Sequence, residues 1–215
     1  MPIFKANNRI GHFAHIPKCG GSSIEDYCRK LGICVAFLNQ EHDATPDSMK
    51  WSKSSPQHID GYSFSRLFPP EFFDFYFTVC RHPISRLTSA FKFQMLSEKK
   101  ISLDIDLSEF VELDLRKIIE GPPAFDNHFL PQTRFLFRKQ KYRLFKLEGG
   151  LDPVKHYLDN HFFGAATTVQ IGQENKTEEY FKIDSKRLEL TPRARKIVGD
   201  LYHHDFEFFK YALAP

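Results

Sequence analysis

With 215 residues, 41% of them hydrophobic and 27% charged, the chain can bury one sizeable core but is short for two full domains. A net charge of +3 provides no global field for a nucleic acid, so any anionic ligand has to be held by local clusters. No run approaches the roughly 20 apolar residues that span a bilayer, and residues 1–9 lack an apolar stretch of signal-peptide length. The four cysteines (Cys19, Cys28, Cys34, Cys80) show no zinc-type spacing. Free thiols and a cytoplasmic location are therefore expected, with a lumenal fragment of a longer anchored protein as the alternative. The 23 phenylalanines predict thick aromatic core layers and leave room for a sugar-stacking groove.

Residues 9–16 alternate and close on the apolar run Phe13-Ala14-His15-Ile16, which predicts a strand. A glycine turn follows, and Ser22-Ser23-Ile24-Glu25 fits a capping box with Ser22 as N-cap, opening a helix that stops near Gly32. Residues 39–56 are polar and aperiodic and read as an irregular surface insertion. The aromatic and β-branched run at 72–80 predicts a buried strand, and helical spacing through Leu87, Phe91 and Leu96 predicts the next helix. Ser108 is expected to cap a helix over 109–119, closed by Gly121-Pro122-Pro123. A third strand is expected at 142–147. Asp152-Pro153 reads as N-cap and first helical position of a helix to about 160, and Thr191-Pro192 repeats the device before a long final helix. Strands alternating with helices predict an α/β protein, three layers built on a central, mostly parallel sheet, with one domain over 1–215.

The first turn is the chemically informative one. A loop between a strand and a helix N-terminus presents unpaired amides and the positive end of the helix dipole to an anion. Gly20 and Gly21 allow close backbone approach, Ser22 and Ser23 add hydroxyl donors, and Lys18 supplies a charge where a phosphate leaving group would develop one. The ATP-type pattern G-x-x-x-x-G-K-[ST] is absent, because this lysine precedes the glycines. By composition alone, the loop reads equally as an anion site or as a plain tight turn.

The string His15-Ile16-Pro17-Lys18-Cys19-Gly20-Gly21-Ser22-Ser23 resembles the 5′-phosphosulfate loop of the carbohydrate (Golgi-type, 2-O-sulfotransferase-like) sulfotransferases, usually P-K-T-G-G-T-S, with Cys19 in place of the usual threonine. Val79-Cys80-Arg81-His82-Pro83-Ile84-Ser85-Arg86-Leu87-Thr88-Ser89 is similar to that family's 3′-phosphate segment, with His82 replacing the commoner Asp. Weaker similarities cover Asp126 to Gln132 (H-x-x-P-Q), Lys146-Leu147-Glu148 followed by Asp152, Asn175-Lys176-Thr177, and Tyr202 to Tyr211.

The resemblance implies a sulfotransferase fold with a P-loop-like nucleotide-binding core and a donor, 3′-phosphoadenosine-5′-phosphosulfate (PAPS), that gives PAP as product without a metal. It implies that Pro17, Lys18, Cys19, Gly20, Gly21, Ser22, Ser23, Arg81, Ser89 and Lys176 bind the donor, with Arg81 and Ser89 on its 3′-phosphate and Lys18 also catalytic. Arg86 reads as a structural partner.

Transfer to a hydroxyl needs in-line geometry and a base near the nucleophile. His58, in Gln57-His58-Ile59-Asp60, is placed like the catalytic histidine of the 2-O-sulfotransferase branch, with Asp60 as a possible orienting group. His128 is the runner-up, Glu25 and Asp60 stand behind it, and His15 reads as a strand residue. The acceptor implied is a carbohydrate hydroxyl. Arg134, Arg138, Lys139 and Lys141 read either as a hold on an anionic glycan or as a solvated basic stretch. A P-loop-type kinase and a non-catalytic nucleotide- or glycan-binding module are the alternatives. The kinase would need a Mg²⁺-binding hydroxyl after the loop lysine and an acidic strand end, and neither is evident.

Overall fold

The structure, a computed structural model, describes residues 1–137, 140–172 and 183–213. Arg138, Lys139 and the Asn175-Lys176-Thr177 element lie outside the described residues. In chain order the elements are β1 (Ile3–Ala6), β2 (Arg9–Ala14), α1 (Gly21–Lys30), β3 (Cys34–Ala36), α2 (Gly61–Ser65), β4 (Phe75–Cys80), α3 (Pro83–Leu96), α4 (Leu107–Phe110), α5 (Arg116–Glu120), β5 (Arg143–Lys146), α6 (Asp152–Phe163), α7 (Pro192–Leu201) and α8 (His203–Phe208). They fall into two compact units, Met1–Arg81 with Arg134–Asn175, and His82–Thr133 with Lys176–Pro215. Among the described residues no helix is long and apolar enough to cross a membrane.

The first unit is an α/β body on a five-stranded sheet ordered β3-β1-β2-β4-β5. β2, β4 and β5 are parallel, as expected, with Phe13 opposite Phe77 and Val79 opposite Phe145. β1 and β3, which the sequence pattern did not reveal, add antiparallel pairings and make the sheet mixed. β1 and β2 form a hairpin turned by Asn7 (φ 45°) and Asn8 (φ 59°), the two left-handed positions that a two-residue turn of matching twist requires.

Period-two alternation sends Phe4, Phe13, Phe75, Phe77 and Phe145 to one face, where Phe13 and Phe77 stack at 4.8 Å. α6 covers them: Tyr157 meets Phe75, Phe77 and Phe145 at 5.5–5.8 Å, and His161 stacks on Phe75 at 4.2 Å. On the opposite face His12 is caged by Phe64 of α2 (4.6 Å), Phe73, Tyr76, Phe137 and Tyr142. The sheet is thus a middle layer, and the aromatic surplus is its packing material.

α1 and α6 are joined by a buried polar network. Lys155 Nζ lies 2.7 Å from Asp159 Oδ2, the Tyr27 hydroxyl donates to Asp159 Oδ1, and the Thr167 amide donates to Asp159 Oδ2 at 2.9 Å. Burial pushes the Asp159 carboxyl up, but Lys155, the Thr167 amide and Tyr27 outweigh it and hold it below the usual range.

The second unit is helical, with Leu87, Phe91, Phe110, Leu115, Phe129 and Val198 in its core. α4 and α5 are continuous through a π-helical stretch at Val111–Leu115. Asp106, not Ser108, caps α4, accepting from the Glu109 amide at 2.8 Å. Ser108 is used instead to bridge the Glu189 carbonyl and the Thr191 amide. Thr191 caps α7 as expected, accepting from the Ala194 amide at 3.1 Å. The expected single final helix breaks at Tyr202, whose hydroxyl donates to the Phe129 carbonyl at 2.8 Å. Asp205 on α8 accepts from the amides of Gln132 (2.7 Å) and Thr133 (2.9 Å). Arg86 is buried and donates to the His128 carbonyl at 2.9 Å, the structural role expected of it.

Replacing Lys155 with Met strands a carboxylate with 0% side-chain exposure. Lys155→Met should lower the unfolding free energy by about 3 kcal/mol, read by urea denaturation, and an unchanged midpoint would contradict the network. Because the Asp159 carboxyl is depressed in the fold, its contribution is complete above about pH 4 and is lost as the pH falls below that.

Candidate active site

β2 ends at Ala14, and residues 15–20 carry the chain to the first turn of α1. Two left-handed residues shape that loop: Lys18 at φ 67° and Gly20 at φ 82°. A lysine at positive φ is uncommon and costs on the order of 1 kcal/mol or more, as backbone strain at functional sites does.

Gly20 is the N-cap of α1, and no side chain caps the first amides. The expected capping box does not form. Ser22 is exposed within the first turn, and Glu25 is buried and turned to His15, with Oε1 at 2.8 Å from Nδ1. With Gly20 rather than Ser22 as N-cap, Glu25 is the fifth helical residue instead of the third and is out of place for the box. The first turn of α1 carries no acidic residue, while Arg29 and Lys30 sit in the last, so the dipole's positive end is left for a ligand.

The two glycines have different work. Gly20 takes the left-handed conformation, with Leu147 and Leu151 packed beneath it. Gly21 makes space: a Cβ there would lie 1.9 Å from His15 Nε2. Cys19 is buried at 1% exposure, so its side chain packs inward and the loop's ligand surface is mainly backbone.

Parallel pairing puts the carboxyl ends of β2 and β4 at one sheet edge, where such sheets bind ligands. The Thr78 hydroxyl donates to the Ala14 carbonyl at 2.7 Å, locking the two ends together. Arg81 follows β4 directly, and its Nη1 donates to the Lys18 carbonyl at 3.5 Å. The lysine of the first motif and the arginine of the second are therefore neighbours.

His58 ends the 3-10 turn Pro56–His58, half-buried, with its ring edge-on to His15 at 4.8 Å and 81°. Asp60 is not its orienting group: both carboxylate oxygens are engaged by Ser63, at 3.0 Å to the amide and 2.7 Å to the hydroxyl, capping α2. Burial pushes the His15 imidazole down, with Glu25 opposing. Burial would raise the Glu25 carboxyl, but His15, His58 and Arg29 hold it below its ordinary value.

Sequence reasoning passed over His15 as a strand residue. It lies one position beyond β2 and touches both Gly21 and His58. The signal was present in Gly21, a glycine at negative φ with no conformational need to be one.

In the second unit Ser89 is half-buried on α3. There His128 is buried on Phe93 at 5.2 Å, its Nδ1 at 2.7 Å from the Phe125 carbonyl. His82 opens α3 with Nε2 at 3.0 Å from the Ala212 carbonyl. β5 ends at Lys146, so Glu148 lies in a 3-10 turn, and Leu151 rather than Asp152 is the N-cap of α6. Arg134 and Lys141 are exposed.

A model of the family described as "Sulfotransferase family" matches residues 9–212. The chain belongs to the sulfotransferase family. Searches of curated proteins and of solved structures return no significant match. Membership in that family supports sulfuryl transfer as the chain's general chemistry.

The packing of His15 on Gly21 is open to a direct check. Gly21→Ala overpacks the contact and should cost about 1–3 kcal/mol, visible as a lower Tm by calorimetry. An unshifted Tm would contradict the packing.

Proposed function

We propose that this sulfotransferase moves the sulfuryl group of PAPS onto a carbohydrate hydroxyl, as one functional domain over 1–215 and without a metal. The observation that carries the reading is the Arg81 contact to the Lys18 carbonyl, which sets the arginine of the second motif against the backbone of the first, where β2 and β4 end. The amides of residues 18–23 hold the donor's 5′-phosphate, with Pro17 shaping the entry and Ser22 and Ser23 adding hydroxyls. Arg81 takes the 3′-phosphate, a charge-assisted contact. For Ser89 and Lys176 the resemblance alone supports a place in the donor site.

In the reaction the acceptor oxygen forms a bond to sulfur as the bond from sulfur to the 5′-phosphate oxygen breaks, in line. His58 takes the hydroxyl proton, and the Lys18 ammonium offsets the charge growing on the departing phosphate. The half-buried setting of His58, within ring contact of the residue that precedes the donor loop, supports its choice over His128. Exposed Arg134 and Lys141 suit an anionic glycan.

His58→Ala should cut turnover by about 10²-fold with donor affinity nearly unchanged. Near-normal turnover there, with the loss appearing in His128→Ala, would move the base to His128. Lys18→Ala should lower kcat strongly, and unaltered kinetics would remove its leaving-group role. A screen of glycan, peptide and small-alcohol acceptors with labelled donor, run with and without chelator, tests acceptor and metal together. Glycan labelling that survives chelation is expected, whereas chelator-sensitive phosphoryl transfer would overturn the reading.

A further inference from the structure

We propose that the buried His15–Glu25 pair is a positioning device that seats His58, the proposed base, against the donor loop. The inference rests on the reading of His58 as base and adds two residues to it. The His15 ring is defined on four sides. Phe13 stacks behind it at 5.3 Å and 17°, and Gly21 leaves it the volume of a missing Cβ. Glu25 holds Nδ1 at 2.8 Å, and His58 stands edge-on at 4.8 Å. A ring so enclosed has one orientation, and it transmits that orientation to whatever packs on it.

Stability alone does not account for the pair. The Glu25 side chain is 4% exposed, and its nearest full cation, Arg29 Nη2, is 3.9 Å away on a side chain 46% exposed. Burying a carboxylate against an imidazole is a poor way to stabilise a helix start. The charged and titratable groups acting on His15 are Glu25 from α1, His58 from its turn and the Met1 amino group, while Arg29 of α1 reaches Glu25.

The step these groups serve is the transfer of one proton from the acceptor hydroxyl to His58. The imidazolium formed faces the Glu25 carboxylate across His15. No proton passes to Glu25, and none leaves His15.

A double-mutant cycle on kcat tests the proposal. Glu25→Gln keeps the shape and removes the charge. It should lower kcat about tenfold with the donor KM within about twofold of the parent. In the His58→Ala background the same change should cost nothing further, because its effect passes through His58. His15→Asn should behave alike and carries the cycle if Glu25→Gln melts early. An equal loss in both backgrounds, or a loss confined to donor KM, would mark a merely structural pair and overturn the proposal. So would unchanged kcat in Glu25→Gln while His58→Ala remains inactive, a result that leaves the base assignment standing. Full turnover in His58→Ala instead removes the base assignment, and this proposal with it.

Discussion

The parallel pairing of β2 with β4 is the constraint on which the proposed donor site depends. Two parallel neighbours must end at the same edge, so the chain leaving β2 and the chain leaving β4 emerge side by side. Lys18 and Arg81, separated by 63 positions in sequence, meet there, with the Arg81 guanidinium on the Lys18 carbonyl. The bond from Thr78 to the Ala14 carbonyl holds the ends in register, and the Phe13–Phe77 stack anchors the same pair from below. Antiparallel pairing of the same strands would send the two loops to opposite edges, and no local feature of either loop would compensate.

From that edge the loop's own chemistry follows. The loop carries left-handed backbone at Lys18 and Gly20, and the helix that follows begins without a side-chain cap or an acidic first turn. Each of these choices lowers stability slightly when taken alone. Together they leave donors and a dipole for an anion, which is the pattern of a site that gives up local stability for function. Glu25 is likewise buried, against His15.

How much of this was legible depends on the range of the interaction. The aromatic run before Cys80 announced β4 because a strand buried on both faces needs no partner to be recognised. β1 and β3, of four and three residues, carry too little pattern to stand out, and only pairing with β2 makes them strands. Ser108 and Asp152 looked like caps, but each sits one or two residues inside its helix, since Asp106 and Leu151 precede them. Asp60 looked like a partner for His58 and instead caps α2. The closing Y-x-x-D-F string was read as a family likeness. In the fold Tyr202 and Asp205 hold the 129–133 segment, a structural duty visible only once those amides are in place. Local capping rules are strong hints, and tertiary partners decide among the candidates.

The central claim is that the backbone of residues 18–23 cradles the donor's phosphate at this edge. Amide chemical shifts of the ¹⁵N-labelled protein, titrated with PAP, test it most directly. The account predicts saturable shifts at the amides of Lys18, Gly20, Gly21, Ser22 and Ser23, together with the Arg81 side-chain signals. PAP binding that leaves those amides unmoved, or no binding at all, would contradict it.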